Sequence, residues 1–157
     1  MKAAQRLLEY AHGRGVRACF ANPGTSEMHL VAALDAVPGI RPILALFEGV
    51  ATGAADGFGR MAQTPALTLL HLGPGLGNGL ANLHNAKRAR TPIVSLIGEH
   101  ATYHLANDPP LASDIAALAG PVSDWLRTVP RAEDLVTAGA EAITAAEQLG
   151  PAALILP

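Results

Sequence analysis

Glu48 stands where an apolar run, Pro42 to Phe47, meets a segment with glycine at every fourth position, Gly49, Gly53 and Gly57. The run reads as a buried strand and the segment as a helix. The carboxylate then falls at the positive end of a helix dipole. Apolar neighbours disfavour its charge while the dipole favours it. A carboxyl held between those two pulls can trade a proton near neutral pH. The plainer role is a carboxylate that only complements the dipole, and position alone leaves both open. Residues four apart on a helix share a face, so the three glycines would form a groove where another backbone can approach closely.

His71 closes a second apolar run, beside Gly73-Pro74-Gly75-Leu76-Gly77-Asn78-Gly79. Its ring can donate or accept a proton near neutral pH, or simply fill a satisfied core position. The glycine-rich stretch reads as a loop of small residues at a helix start, where backbone amides can meet a ligand. It is no dinucleotide fingerprint: G-x-G-x-x-G would need glycine at Asn78 or at Leu80. No phosphate-loop pattern occurs. Glu99, His100 and His104 have metal-ligand chemistry, but their segment reads as loop, so the two histidines share no helix face and no metal site is assigned. Ser95 lacks a G-x-S-x-G setting, which disfavours a serine hydrolase. His29 and His84 fall on helices as surface or packing residues.

Composition narrows the class. The chain has 157 residues, half of them hydrophobic, only 4% aromatic, with a net charge of -2. One domain with a full core is expected. No basic block or aromatic-basic interleaving points to nucleic acid. No apolar stretch is long enough to cross a bilayer, and the start shows no signal-peptide pattern. The lone Cys19 reads as a small core residue, compatible with a reducing compartment. A cytoplasmic protein is the expectation.

Helices are expected over 3–12, 27–36, 48–62, 80–89, 111–118 and 131–148. Strands are expected over 16–21, 40–47, 66–72, 93–97, 122–129 and 152–156. This alternation predicts a three-layer, doubly wound α/β domain, a mostly parallel six-stranded sheet with helices on both faces. Ligands bind such sheets at the carboxyl ends of the strands. That edge would gather the turn Asn22-Pro23-Gly24, Glu48, and His71 through Asn78.

Taken in order, Phe20-Ala21-Asn22-Pro23-Gly24, Phe47-Glu48-Gly49, Ala54-Ala55-Asp56-Gly57-Phe58-Gly59-Arg60, Gly73-Pro74-Gly75 with Asn78, and Thr91-Pro92-Ile93 resemble thiamine-diphosphate-dependent enzymes. The resemblance is narrower than that: to the amino-terminal, pyrimidine-binding domain of the acetolactate synthase and benzoylformate decarboxylase group, over nearly the whole chain. It implies thiamine diphosphate as cofactor and a 2-oxo acid as substrate. Glu48 matches the glutamate that hydrogen-bonds the cofactor's pyrimidine and promotes ylide formation. Asn22, Pro23, Gly24, Gly75 and Asn78 match cofactor-binding positions. His71 is similar to the active-site histidine of the decarboxylase branch, and Thr25 stands where that branch has serine. His71 and Thr25 would thus border the substrate.

The resemblance also implies Mg2+, but only through a diphosphate-binding domain with a G-D-G motif, and Gly-Asp-Gly does not occur here. The chain is therefore expected to be one domain of a longer polypeptide or one subunit of a split enzyme, inactive alone, in a homodimer or tetramer. The Gly49, Gly53, Gly57 helix is the expected self-association surface. A non-catalytic binding or assembly module of the same fold is the alternative.

Overall fold

A computed structural model describes residues 2–157. Six strands, β1 (Ala18–Asn22), β2 (Arg41–Leu44), β3 (Ala66–Leu70), β4 (Ile93–Gly98), β5 (Trp125–Thr128) and β6 (Ala152–Leu156), form one sheet in the order β2-β1-β3-β4-β6-β5. Every pairing is parallel. All the carboxyl ends therefore share one edge of the sheet.

Side chains on successive strand positions point to opposite faces, and the core divides accordingly. Cys19, Ala21, Leu67, Leu69, Val94, Leu96 and Leu154 pack under α1 (Ala3–Gly13), α2 (Met28–Asp35) and α6 (Leu135–Gln148). Ala18, Phe20, Ala66, Leu70, Ile93, Ile97 and Ile155 pack under α3 (Glu48–Ala62), α4 (Leu72–Ala89) and α5 (Ile115–Ala119). Burial on both faces explains why β3 and β6 carry almost no polar residue. The buried hydroxyls of β3 and β4 satisfy each other: Thr68 Oγ1 donates to Ser95 Oγ at 2.9 Å. Burial pushes the Cys19 thiol up to about 12, as a core position should. Among the described residues no helix is long and apolar enough to cross a membrane.

The order reverses beside β1. The chain runs outward from β1 to β2, then crosses over β1 to reach β3. The crevice between the carboxyl ends of β1 and β3 is such a sheet's topological switch point. Asn22 pairs with Leu70 in the register, so the turn after β1 and the residue after β3, His71, leave the sheet side by side.

Four expectations are corrected. The strand expected over 40–47 is only Arg41–Leu44, and it lies on the edge, largely exposed; with a neighbour on one side only, its apolar residues are less covered than those of a central strand. The glycine-rich stretch is no loop, because α4 starts at Leu72 and runs through all of it. The strand expected over 122–129 is shorter, without 122–124 and 129: β5 spans only Trp125–Thr128, after a short turn at Gly120–Val122. The helix expected from Leu111 begins at Ile115, where Asp114 caps it by accepting from the Ala117 amide.

Candidate functional site

The bend from β2 into α3 sets Glu48. Phe47 is extended and forms the N-cap, so Glu48 is the first helical residue. Its side chain is buried, folded toward α4 rather than outward. Asn78 Nδ2 donates to Glu48 Oε2 at 2.9 Å. A β-carbon on Gly75 would lie 2.7 Å from Glu48 Oε1, so only glycine leaves room for the carboxylate there. Among the described residues no group donates a hydrogen bond to Oε1. The carboxyl is thus gripped on one oxygen and free on the other.

His71 sits one residue past β3, at the N-cap of α4. Leu72 follows at φ 54° and is buried. A left-handed leucine costs on the order of 1–2 kcal/mol. That sharp step lets the strand turn at once into the helix and leaves His71 at the sheet edge. Its ring lies so close over Gly24 that a β-carbon there would fall among the imidazole atoms. His71 Nδ1 lies 2.8 Å from Glu27 Oε2. The Gly24 amide donates to the same oxygen at 2.7 Å. Because a carboxylate only accepts, this geometry assigns the ring proton to Nδ1 and leaves Nε2 as the ring's free nitrogen.

Glu27 is the residue that sequence reading missed. The helical pattern over 27–36 places it at a helix start, yet it closes a 3-10 turn, Thr25–Glu27, and is fully buried. One signal was available. A glutamate three residues after Gly24 matches the capping-box spacing, which folds the carboxylate back onto the turn and so toward the strand ends.

The structure brings these predicted residues into two adjoining groups. Glu48 meets Gly75 and Asn78, and His71 meets Gly24. Gly75 joins the groups, its virtual β-carbon 3.4 Å from His71 Cβ as well as 2.7 Å from Glu48 Oε1. Asn22 and Pro23 stand at the same edge, partly buried, while Thr25 is exposed on the turn. Glu99, His100 and His104 do not join the site. Glu99 accepts from its neighbour's amide, and no group of three or more His, Cys, Asp or Glu among the described residues is arranged to hold a metal ion.

The glycine stripe serves a different contact from the one expected. Gly49 faces the Asn78 carbonyl and Gly53 faces the Asn82 side chain, which donates to the Gly49 carbonyl at 2.7 Å. Thr52 Oγ1, between them, reaches the Gly79 carbonyl at 3.2 Å. The close backbone approach is therefore between α3 and α4 of this chain, and only Gly57 lies open. The rest of the Ala54–Arg60 motif is also packing. Asp56 accepts two bonds from Arg60 and one from Thr91, holding the Arg60 guanidinium above its ordinary range. Gly59 lies against Thr91 and Pro92. Four apolar side chains next to Glu48 in the sequence are exposed: Leu44, Leu46 at 90% exposure, Phe47 and Val50.

Comparisons with known proteins agree with this fold. Over 159 aligned positions the chain is 63% identical to a Mycobacterium tuberculosis protein designated an acetolactate synthase large subunit, covering 100% of this chain and 31% of that one. It is 32% identical over 139 residues to benzoylformate decarboxylase of Pseudomonas aeruginosa, covering 88% of this chain and 26% of that enzyme. The chain thus spans about a third or less of these relatives. The structure of a thiamine diphosphate-dependent 4-hydroxybenzoylformate decarboxylase of Rhodococcus jostii RHA1 superposes with a TM-score of 0.93 at 26% identity, over 100% of this chain and 30% of that one. Residues 1–118 match the family profile described as thiamine pyrophosphate enzyme, N-terminal TPP binding domain. With its switch-point crevice, its half-gripped glutamate and that match over three quarters of its length, the chain belongs to the N-terminal TPP-binding domain family of thiamine pyrophosphate enzymes, of the acetolactate synthase and benzoylformate decarboxylase kind.

Proposed function

We propose that this chain binds the pyrimidine half of thiamine diphosphate and supplies Glu48 as the proton-handling carboxyl in an enzyme acting on 2-oxo acids. The observation that carries the reading is Glu48 itself, fixed by Asn78 through Oε2 while Oε1, against Gly75, has no hydrogen-bond partner among the described residues. The residues present fit a heterocycle with a hydrogen-bonding ring nitrogen. A diphosphate and its divalent ion need donors beyond these, so a separate diphosphate-binding domain, in the same polypeptide or in another subunit, would complete the site and bring Mg2+.

When bound, the cofactor would supply a thiazolium carbon that is nucleophilic once deprotonated and a ring that serves as electron sink for loss of CO2 from a 2-oxo acid. This chain's part is to place protons. Glu48 Oε1 would hold a proton against the pyrimidine nitrogen. Burial denies water access to that hydrogen bond, which strengthens it. His71, fixed by Glu27 with Nε2 free, is the second acid-base group and borders the substrate with Thr25. Asn22, Pro23 and Gly24 would form the wall beside the ring, where a backbone turn can lie flat.

The exposed Leu44, Leu46, Phe47 and Val50 support an association face next to Glu48. A second copy of the chain, or the diphosphate-binding domain of one, would cover it and close the site from water. This face takes over the role that the glycine stripe was expected to play.

The test is Glu48→Gln in the complete enzyme. Exchange of the thiazolium proton with solvent should slow by about 10²–10⁴-fold, the usual contribution of a positioned acid-base group, while cofactor binding persists. Exchange at the unaltered rate would remove Glu48 from the role.

A further inference from the structure

Gly98 ends β4, two strands away from the turn that carries Glu27. A β-carbon built on it would coincide with Glu27 Oε1 and lie 2.5 Å from Glu27 Cδ and 3.0 Å from Cγ, and the nearest atoms it meets are all of Glu27. Its φ is outside the left-handed region, so backbone freedom does not explain the glycine. Glu27 Oε1, fully buried, has no hydrogen-bond partner among the described residues. Burying such an oxygen unpaired is costly, and it persists here because both donors converge on Oε2.

From these contacts we infer that Gly98 is a positioning residue: its bare Cα is the seat on which the Glu27 carboxylate rests, and that seat turns Oε2 toward the Gly24 amide and His71 Nδ1. Any β-carbon at 98 pushes the carboxylate out of this rotamer. The side chain has no solvent to swing into, since Glu27 is 0% exposed, so its displacement carries Oε2 off the His71 ring. His71 then loses the partner that fixes its ring proton on Nδ1. The inference deepens the proposed role of His71 and rests on that reading only for its catalytic consequence; the contact itself is independent of it.

The ring's tautomer reads the contact directly. With 15N-labelled histidine in this chain, at a pH where the ring is neutral, His71 should show its proton on Nδ1. In Gly98→Ala the ratio of Nδ1–H to Nε2–H should fall by about tenfold or more, the scale of a lost hydrogen bond to a charged group, while Gly57→Ala, whose β-carbon meets nothing within 4 Å, should leave it unchanged. An unchanged tautomer in a folded Gly98→Ala protein would overturn the inference, as would an Nε2–H ring in the unmodified chain. Should Gly98→Ala fail to fold, the same substitution beside Glu27→Ala decides: recovered folding supports the seat, and continued failure refutes it. None of these readouts uses cofactor turnover, so loss of the proposed function and loss of this contact remain distinguishable.

Discussion

Gly75→Ala sets two effects of similar size against each other. Gly75 lies in the first turn of α4, and alanine for glycine in a helix favours folding by up to about 1 kcal/mol. Against this, the new methyl carbon would stand 2.7 Å from Glu48 Oε1 and 3.4 Å from Glu48 Cδ. The carboxyl must move by several tenths of an ångström at least, away from the 2.9 Å bond donated by Asn78. A hydrogen bond to a charged group contributes about 1.5–3 kcal/mol, so the balance is a net loss of about 0.5–2 kcal/mol. Urea denaturation of Gly75→Ala beside Gly57→Ala measures it. The second substitution meets no atom within 4 Å and should instead gain about 0.5–1 kcal/mol. Function should suffer far more than stability. With Glu48 displaced, thiazolium proton exchange in the complete, cofactor-loaded enzyme should slow by about 10²-fold or more. A Gly75→Ala protein as stable as Gly57→Ala and with unaltered exchange would refute the reasoning, because the carboxyl would then need neither its position nor its grip.

Thr52→Val removes a buried hydroxyl that bridges α3 to the Gly79 carbonyl of α4; the shape is kept and that carbonyl retains its helix, so the loss in chemical denaturation should be modest, about 0.5–1.5 kcal/mol. Cys19 should resist thiol reagents in the native state and react once unfolded, since burial holds its pKa near 12 against an ordinary 9.0. The sign follows: above about pH 9 the unfolded chain gives up this proton and the folded chain keeps it, so stability falls as pH rises, and Cys19→Ala should lessen that slope. Leu46→Asp, on a side chain 90% exposed, should weaken self-association in sedimentation velocity without lowering the unfolding midpoint; unchanged association would move the interface elsewhere.

The sequence by itself determined the class of fold and which residues of the candidate site would share one sheet edge. Runs of small apolar residues over 66–70, 93–97 and 152–156, separated by helical periodicity, admit little but a parallel sheet covered on both faces. The placement of Glu48, His71, Gly24, Gly75 and Asn78 at one edge follows from that, because parallel strands put all their carboxyl ends together. Apolar content could not say that β2 is an edge strand, since strand order depends on which neighbours each strand finds and not on its own residues. Nor could it show that Gly73 to Gly79 is helical. Those glycines are weak helix formers alone, and they form α4 because Gly79 and Gly75 let Thr52 and Glu48 pack against it. Glu27 was hidden for the same reason: its local sequence describes only a helix cap, whereas it packs against His71, just past β3, and Gly98, at the end of β4. What only the tertiary structure decided was which side chains a glycine makes room for, because that depends on contacts between segments far apart in the chain.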